Sequence, residues 1–277
     1  MDELVLISIT FVAAAVNGAL GYGFSSITVP IALLFYTNRV LNPALVLVEI
    51  VINTYVLFIN RSSIGSVIWR VAPIVGGLVI GVAVGSYLLS LVHPAWVKFV
   101  TYFFLLPLIL LQAAGIRKPI RAEKAIAVPF GAGLGMLYSI TTISGPPLAL
   151  LFNNQGYPKQ DFRAALGTIR LAESSFTAIA YVFIGFYNHE AMELIPLIAP
   201  SVLLGIPLGT FLIRLMDPET FRRICMAFDG VIVGFGLSRV LGELHLASAF
   251  TTYSILSIVI AINGYLLFRF LRNRTVP

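Results

Sequence analysis

The sequence predicts an all-α polytopic membrane protein. It reads as two inverted repeats, each a broken helical hairpin plus three transmembrane helices, with one extra helix at the C-terminal end. Three observations carry that expectation. Mean hydropathy is +0.95 and only 11% of the 277 residues are charged, against about 25% in soluble domains. Apolar runs of spanning length, about 20 residues, fill most of the chain. One interrupted apolar stretch also occurs twice, as AAVNGALGYGFSSITVPIALLF over 14–35 and GAGLGMLYSITTISGPPLALLF over 131–152, at an offset of 117 residues. That offset lays Gly18 on Gly135, Pro30 on Pro147 and Phe35 on Phe152.

Apolar runs and their breaks give nine segments: 4–36, 44–60, 70–91, 96–114, 124–153, 161–187, 193–214, 220–240 and 248–271. The first and fifth are too long for one crossing, since at 1.5 Å per residue each would reach roughly 45 Å against a hydrocarbon core of about 30 Å. Each is also interrupted by Gly, Ser, Thr and Pro. A lipid-facing helix has no use for such a break, because freed backbone groups in hydrocarbon cost several kcal/mol each. Two interrupted segments at matching places in two halves point to a transporter binding site.

Charge sets the expected orientation. Arg117, Lys118, Arg121 and Lys124 form one basic loop; Arg222 with Arg223, and Arg269 with Arg272 and Arg274, form others. All belong on the cytoplasmic side. Counting crossings back from the tail puts 188–192 outside and the 154–160 loop inside, so segment five enters and leaves on one face. The same count places the 61–69 loop inside, between Arg61 and Arg70, and the 37–43 loop outside despite Arg39. The repeats then run 1–118 and 119–246, and 247–277 is the added helix with a basic cytoplasmic tail. The expected location is the inner (cytoplasmic) membrane.

Several classes of function are disfavoured. The net charge of +6 sits in short loops rather than a basic patch, so nucleic acid is not an expected partner. Met1-Asp2-Glu3 lacks the positive n-region of a signal peptide, so the first segment is expected in the mature protein. A single cysteine, Cys225, excludes an internal disulfide, and no metal site or cofactor is expected. No phosphate-binding G-x-x-x-x-G-K-[ST] motif occurs, and no nucleophile–base constellation suggests an enzyme.

The segments GALGYGFSSITVPIALLF and GLGMLYSITTISGPPLALLF, with the later patch Ala164-Ala165-Leu166-Gly167-Thr168, resemble the sulfite exporter TauE/SafE family of anion permeases. The likeness extends from the start of the chain to Leu241. The second half departs from the family's usual glycine cluster: it has Tyr138-Ser139-Ile140 where the first half keeps Gly21-Tyr22-Gly23. The resemblance implies secondary transport of sulfite, organosulfonates or other small organic anions.

Ionisable groups at membrane depth are functional candidates in their own right. Glu49 lies in segment two with Asn53 one turn on, Arg170 and Glu173 lie mid-segment six, and Asp229 lies in segment eight. Allowing a two-residue loop difference, Glu49 aligns with Thr168. Arg170 offers a charged planar fork suited to a carboxylate or sulfonate. The bland alternative is a packing pair with Glu173 or Glu49. An anion that took Arg170 would free a glutamate, Glu49 or Glu173, to bind a proton as coupling ion. The breaks add hydroxyls, Ser25, Ser26 and Thr28 in one half and Ser139, Thr141, Thr142 and Ser144 in the other, with Tyr138 read as sitting on the break itself and Gly145 beside it. Backbone N–H groups opening the second limb suit an anion, although small polar residues also serve ordinary helix packing in bilayers. Gly21, Gly23, Pro30, Pro147 and Asn17 are read as supporting the breaks. Asp229 is read as a partner for Arg239 or backbone, and His93, His189 and His245 as surface residues. Trp69 and Trp96 are read as interfacial anchors. Gly76, Gly77, Gly81 and Gly85, echoed by Gly205 and Gly209, read as packing stripes. An anion channel and a non-transporting accessory subunit are the rival readings.

Overall fold

Backbone polar groups in a bilayer have no water to pair with, so this apolar chain satisfies them within helices. The computed structural model describes residues 2–114, 123–154, 158–212 and 218–274. Among them are eleven α-helices: α1 (Asp2–Leu20), α2 (Phe24–Ala32), α3 (Asn38–Ile59), α4 (Ile64–Leu91), α5 (Pro94–Ala114), α6 (Glu123–Thr141), α7 (Gly145–Asn154), α8 (Lys159–Ile184), α9 (His189–Leu212), α10 (Pro218–Glu243) and α11 (Ala249–Arg274). Arg117, Lys118 and Arg121 lie outside the described residues, as do the side chains of Lys124, Arg222, Cys225 and Arg274. Six of the helices, α1, α3, α4, α5, α9 and α11, are long and apolar enough to cross a membrane. α8 and α10 have 26 residues each, and α8 carries Asp161, Arg163, Arg170 and Glu173 through its length.

Both long segments break as expected. α1 runs 19 residues and α2 only nine, with the turn at Gly21-Tyr22-Gly23 between them. The chain folds back on itself there: Glu3 at the start of α1 and Tyr36 and Thr37 after α2 line one cavity, together with Glu190 and Glu193 of α9. α6 and α7 repeat the arrangement, and Ala127 near the start of α6 shares a core with Leu151 and Phe152 of α7 and with Val67 and Val71 of α4. The starts of α4 and α8 meet nearby, where Ser66 Oγ of α4 donates to Asp161 of α8 at 3.1 Å.

Helix starts differ from the apolar segmentation. The 61–69 loop is mostly helix: a 3₁₀ turn, Arg61–Ser63, leads straight into α4, which carries Trp69 and Arg70. No proline or glycine pair interrupts that stretch, so the helix continues past its apolar span. α3 likewise begins at Asn38 rather than 44, so Arg39, Asn42 and Pro43 are helical rather than loop residues. Arg39 is not a free loop charge. Its guanidinium donates to the carbonyls of Leu89, Ser90 and Val92 at 2.8–2.9 Å, capping the negative end of α4.

The halves interlock through small residues. α1 packs on α9 and α6 packs on α4. A Cβ on Gly205 or Gly209 would run into the α1 backbone at Phe11 and Ala15, and one on Gly81 or Gly85 into the α6 backbone at Ala132 and Met136. Close backbone approach of this kind drives helix association in lipid. Gly77 meets α6 as well, but Gly76 faces open space and is not part of the stripe. α11 lies at the edge against α10 and α5, presenting Phe250, Tyr253, Tyr265 and Phe268 outward.

Candidate functional site

α3 and α8 each follow a hairpin and pack side by side. Counted from their first residues, Glu49 and Arg170 hold the same position, 121 residues apart. The breaks obey that register too. Gly21 and Thr142 both take positive φ, 83° and 56°, and α2 and α7 begin three residues later. The counterpart of Gly21-Tyr22-Gly23 is therefore Thr142-Ile143-Ser144, not Tyr138-Ser139-Ile140, and the counterpart of Glu49 is Arg170, not Thr168. The sequence match at 117 is short by four residues, about one helical turn. Such a slip keeps nearly the same faces aligned, which is why residue identities favoured it.

The two counterparts bind each other. Arg170 Nη2 donates to Glu49 Oε1 at 2.8 Å, with the side chains 3% and 0% exposed. Ser25, in the first turn of α2, donates to the same oxygen at 2.5 Å, and Tyr138 donates to Oε2 at 2.6 Å. Tyr138 lies in the last turn of α6, before the break rather than on it. Arg170 Nη1 reaches Asn17 Oδ1 at 3.3 Å, so the guanidinium also holds the end of α1; its Nε has no partner among the described residues.

Of the packing pairs considered for Arg170, the structure forms the one with Glu49. Glu173 instead accepts from Ser144 Oγ at 2.5 Å, its other oxygen is without a partner among the described residues, and it lies in the field of both Arg170 and Glu49. Each half thus offers a buried glutamate that takes a serine from its own hairpin: Ser25 to Glu49, Ser144 to Glu173. The hairpins touch as well, since a Cβ on Gly145 would lie 3.3 Å from the Tyr22 ring and 3.8 Å from Gly23 N.

The remaining candidates divide into two groups. Thr28 and Asn53 are buried, and Thr28 Oγ1 and Asn53 Nδ2 have no partner among the described residues; Ser26 is buried too. Thr141 and Thr142 serve the break itself: Thr141 Oγ1 donates to Leu137 O and accepts from Ile143 N, and Thr142 Oγ1 donates to Thr141 O. Pro30 O accepts from Tyr102 at 2.8 Å, and Pro147 sits in the first turn of α7. Asp229 is buried, with one oxygen unpaired. It does not pair with Arg239, since ten residues of one helix separate them by about 15 Å along the axis. His93, His189 and His245 are exposed, as are Trp69 and Trp96.

Sequence reading missed the side chains that brace the breaks. Asn38 and Asn42 of α3 both donate to Ile140 O, at 3.2 and 2.7 Å, and Tyr181 of α8 donates to Ser139 O at 2.5 Å. Arg163 of α8 donates to Ala19 O at 3.1 Å beside Gly21. The available signal was the Asn38/Asn42 spacing of one turn, hidden by assigning that stretch to a loop.

A search of curated proteins and of solved structures finds no significant match. The family model described as Sulfite exporter TauE/SafE matches residues 6–237, from the first hairpin into α10 and so across both hairpins and the Glu49–Arg170 pair. Membership in that family makes the protein a multi-pass membrane transporter of sulfite or related anions. The match covers well over half of the chain, and the chain belongs to the sulfite exporter TauE/SafE family.

Proposed function

We propose that this protein is a secondary transporter that moves a small anion, sulfite, an organosulfonate or a small carboxylate, across the cytoplasmic membrane by alternating access. Arg170 is the anion's ligand, and the buried glutamates couple transport to protons. One observation supports this reading above the others: a guanidinium 3% exposed lies between α1 and α3, beside the contact of two hairpin breaks, with one of its N–H groups unused. Burying a charge is costly unless it is paired, and such groups inside membrane segments mark substrate or proton pathways. The hydroxyls and backbone N–H groups of the breaks supply further donors for an anion.

The two halves, 1–118 and 119–246, are proposed as inverted repeats that rock against each other around this pair. The first hairpin's ends lie beside Thr37 at the start of α3, and the second's share a core with Val67 and Val71 near the start of α4, one helix further on, which supports that arrangement. The end carrying Arg61, Asp161 and the C-terminal helix end with Arg269 and Arg272 is assigned to the cytoplasm by its basic residues.

Thermal unfolding of the purified protein in detergent tests the reading. The ligand panel is sulfite, sulfate, thiosulfate, sulfoacetate, taurine, oxalate and acetate. A ligand at 100 times its dissociation constant adds about 2.7 kcal/mol of stability. A saturable shift with one anion class, lost in Arg170→Ala that still unfolds cooperatively, is the expected outcome. No shift with any anion, together with silent flux assays, contradicts it.

A further inference from the structure

We infer that the carboxylate of Glu49 stands in the place of the substrate's anionic head group, so that Glu49 is a tethered competitor that leaves as a neutral acid when the substrate enters. This rests on the anion-transport reading and deepens it by naming which glutamate exchanges and what else grips the head group.

The geometry is specific to Glu49. Its two oxygens collect three donors from three helices: Ser25 of α2 and Arg170 of α8 on Oε1, and Tyr138 of α6 on Oε2. That set is what a buried monoanion with two or three oxygens requires: a charged planar donor plus hydroxyls that spread over the remaining lone pairs. It also spans both hairpins, because Ser25 opens the second limb of the first and Tyr138 closes the first limb of the second. Glu173 differs. Its bond is to Ser144 alone, and its second oxygen has no partner, so it does not occupy the guanidinium.

Charge then fixes the exchange. The groups facing Glu49 are Arg170 and Glu173 on α8 and Tyr138 on α6, with Asn17 and Ser25 as neutral neighbours on the first hairpin. A carboxylate stripped of its guanidinium inside the bilayer carries a large desolvation penalty. The incoming monoanion therefore takes Arg170 as Glu49 takes one proton, and the net charge of the buried cluster does not change. One proton accompanies one monoanion. Ser25 and Tyr138 become head-group ligands, and a dianion would leave an uncompensated charge.

Titration calorimetry and proton-uptake measurements in weakly buffered detergent solution at neutral pH test this, with methanesulfonate and acetate as the monoanion probes and sulfate as the dianion arm. Wild-type protein is expected to take up about one proton for each monoanion bound. Glu49→Gln is expected to bind the same probe about tenfold tighter, since the competing population is removed, and with no proton uptake. Tyr138→Phe placed in the Glu49→Gln background weakens binding again. Binding lost in Glu49→Gln while the melting transition stays intact overturns the inference, as does tighter binding and abolished proton uptake in Glu173→Gln instead. Binding that ignores Arg170→Ala, by contrast, removes the anion-ligand assignment itself.

Discussion

The two hairpin breaks do the same geometric work with different chemistry. The first is made of glycine: Gly21 and Gly23 take φ of 83° and 111°, a region open to them without a side-chain penalty. The carbonyls just before it take Arg163 on Ala19 O and Thr210 on Gly18 O, at 3.1 and 3.3 Å, both longer than the closest braces of the second break. The second has no glycine in the turn. Thr142 sits at φ 56°, and Asn38, Asn42 and Tyr181 clamp the carbonyls of Ile140 and Ser139 just before it. One break is permissive and lightly held; the other is strained and cross-braced by α3 and α8. In the proposed alternating mechanism the glycine break would serve as the pivot and the braced break as the fixed reference, with Glu49 and Arg170 joining the two.

Removing the shared pair has the largest expected effect. Arg170→Ala leaves Glu49 buried without its cation, and breaking a buried pair from one side costs about 3–5 kcal/mol; denaturant or thermal unfolding in detergent reads it directly. Next comes Gly23→Ala. A Cβ there is strained at φ 111° and would meet Val16 at 3.1 Å, so a loss of about 1–3 kcal/mol is expected. Gly145→Ala at the start of α7, with ordinary backbone and no contact of the new Cβ closer than 3.3 Å to Tyr22, should cost less in the same assay. A reversed order would break the pivot-and-reference distinction.

Loosening the braced break is a smaller perturbation. Asn42→Ala removes one donor from Ile140 O and should cost about 1 kcal/mol, with faster hydrogen exchange at the amides of residues 140–144 than at 21–25. Smallest is Thr142→Gly, which relieves a β-branched residue from a left-handed conformation and should raise stability by up to about 1 kcal/mol. If it lowers stability instead, the Thr142 hydroxyl bond to Thr141 O outweighs the backbone strain.

Much of this was readable in the chain. Doubled interruptions in apolar segments reveal hairpins because lipid tolerates broken backbone only where protein covers it. Arg170, Glu49 and Glu173 announce themselves because charges at membrane depth are rare. The pairing did not follow from sequence, because the best match of identities, such as Pro30 on Pro147, lies one helical turn short, and the two-residue loop allowance then set Thr168 rather than Arg170 opposite Glu49. Polar helix ends were also misread. Arg39 and Asn42 look like loop residues by composition, yet they point their polar groups at the ends of other helices, a tertiary use that no local pattern encodes. Asp229 and Arg239 show the converse error: opposite charges near in sequence lie too far apart on one helix to meet.

The Glu49–Arg170 pair is proposed to serve anion transport rather than packing. Replacing both charges at once by neutral side chains of similar size, Glu49→Gln with Arg170→Met, spares the fold the cost of an orphaned charge, since such replacements of buried pairs are often neutral. The decisive measurement is labelled sulfite flux into proteoliposomes, wild type against this double variant at matched melting temperature. Saturable flux in the wild type that falls to the protein-free background in the double variant is the predicted result. Flux retained at the wild-type rate would show that the pair only packs the helices.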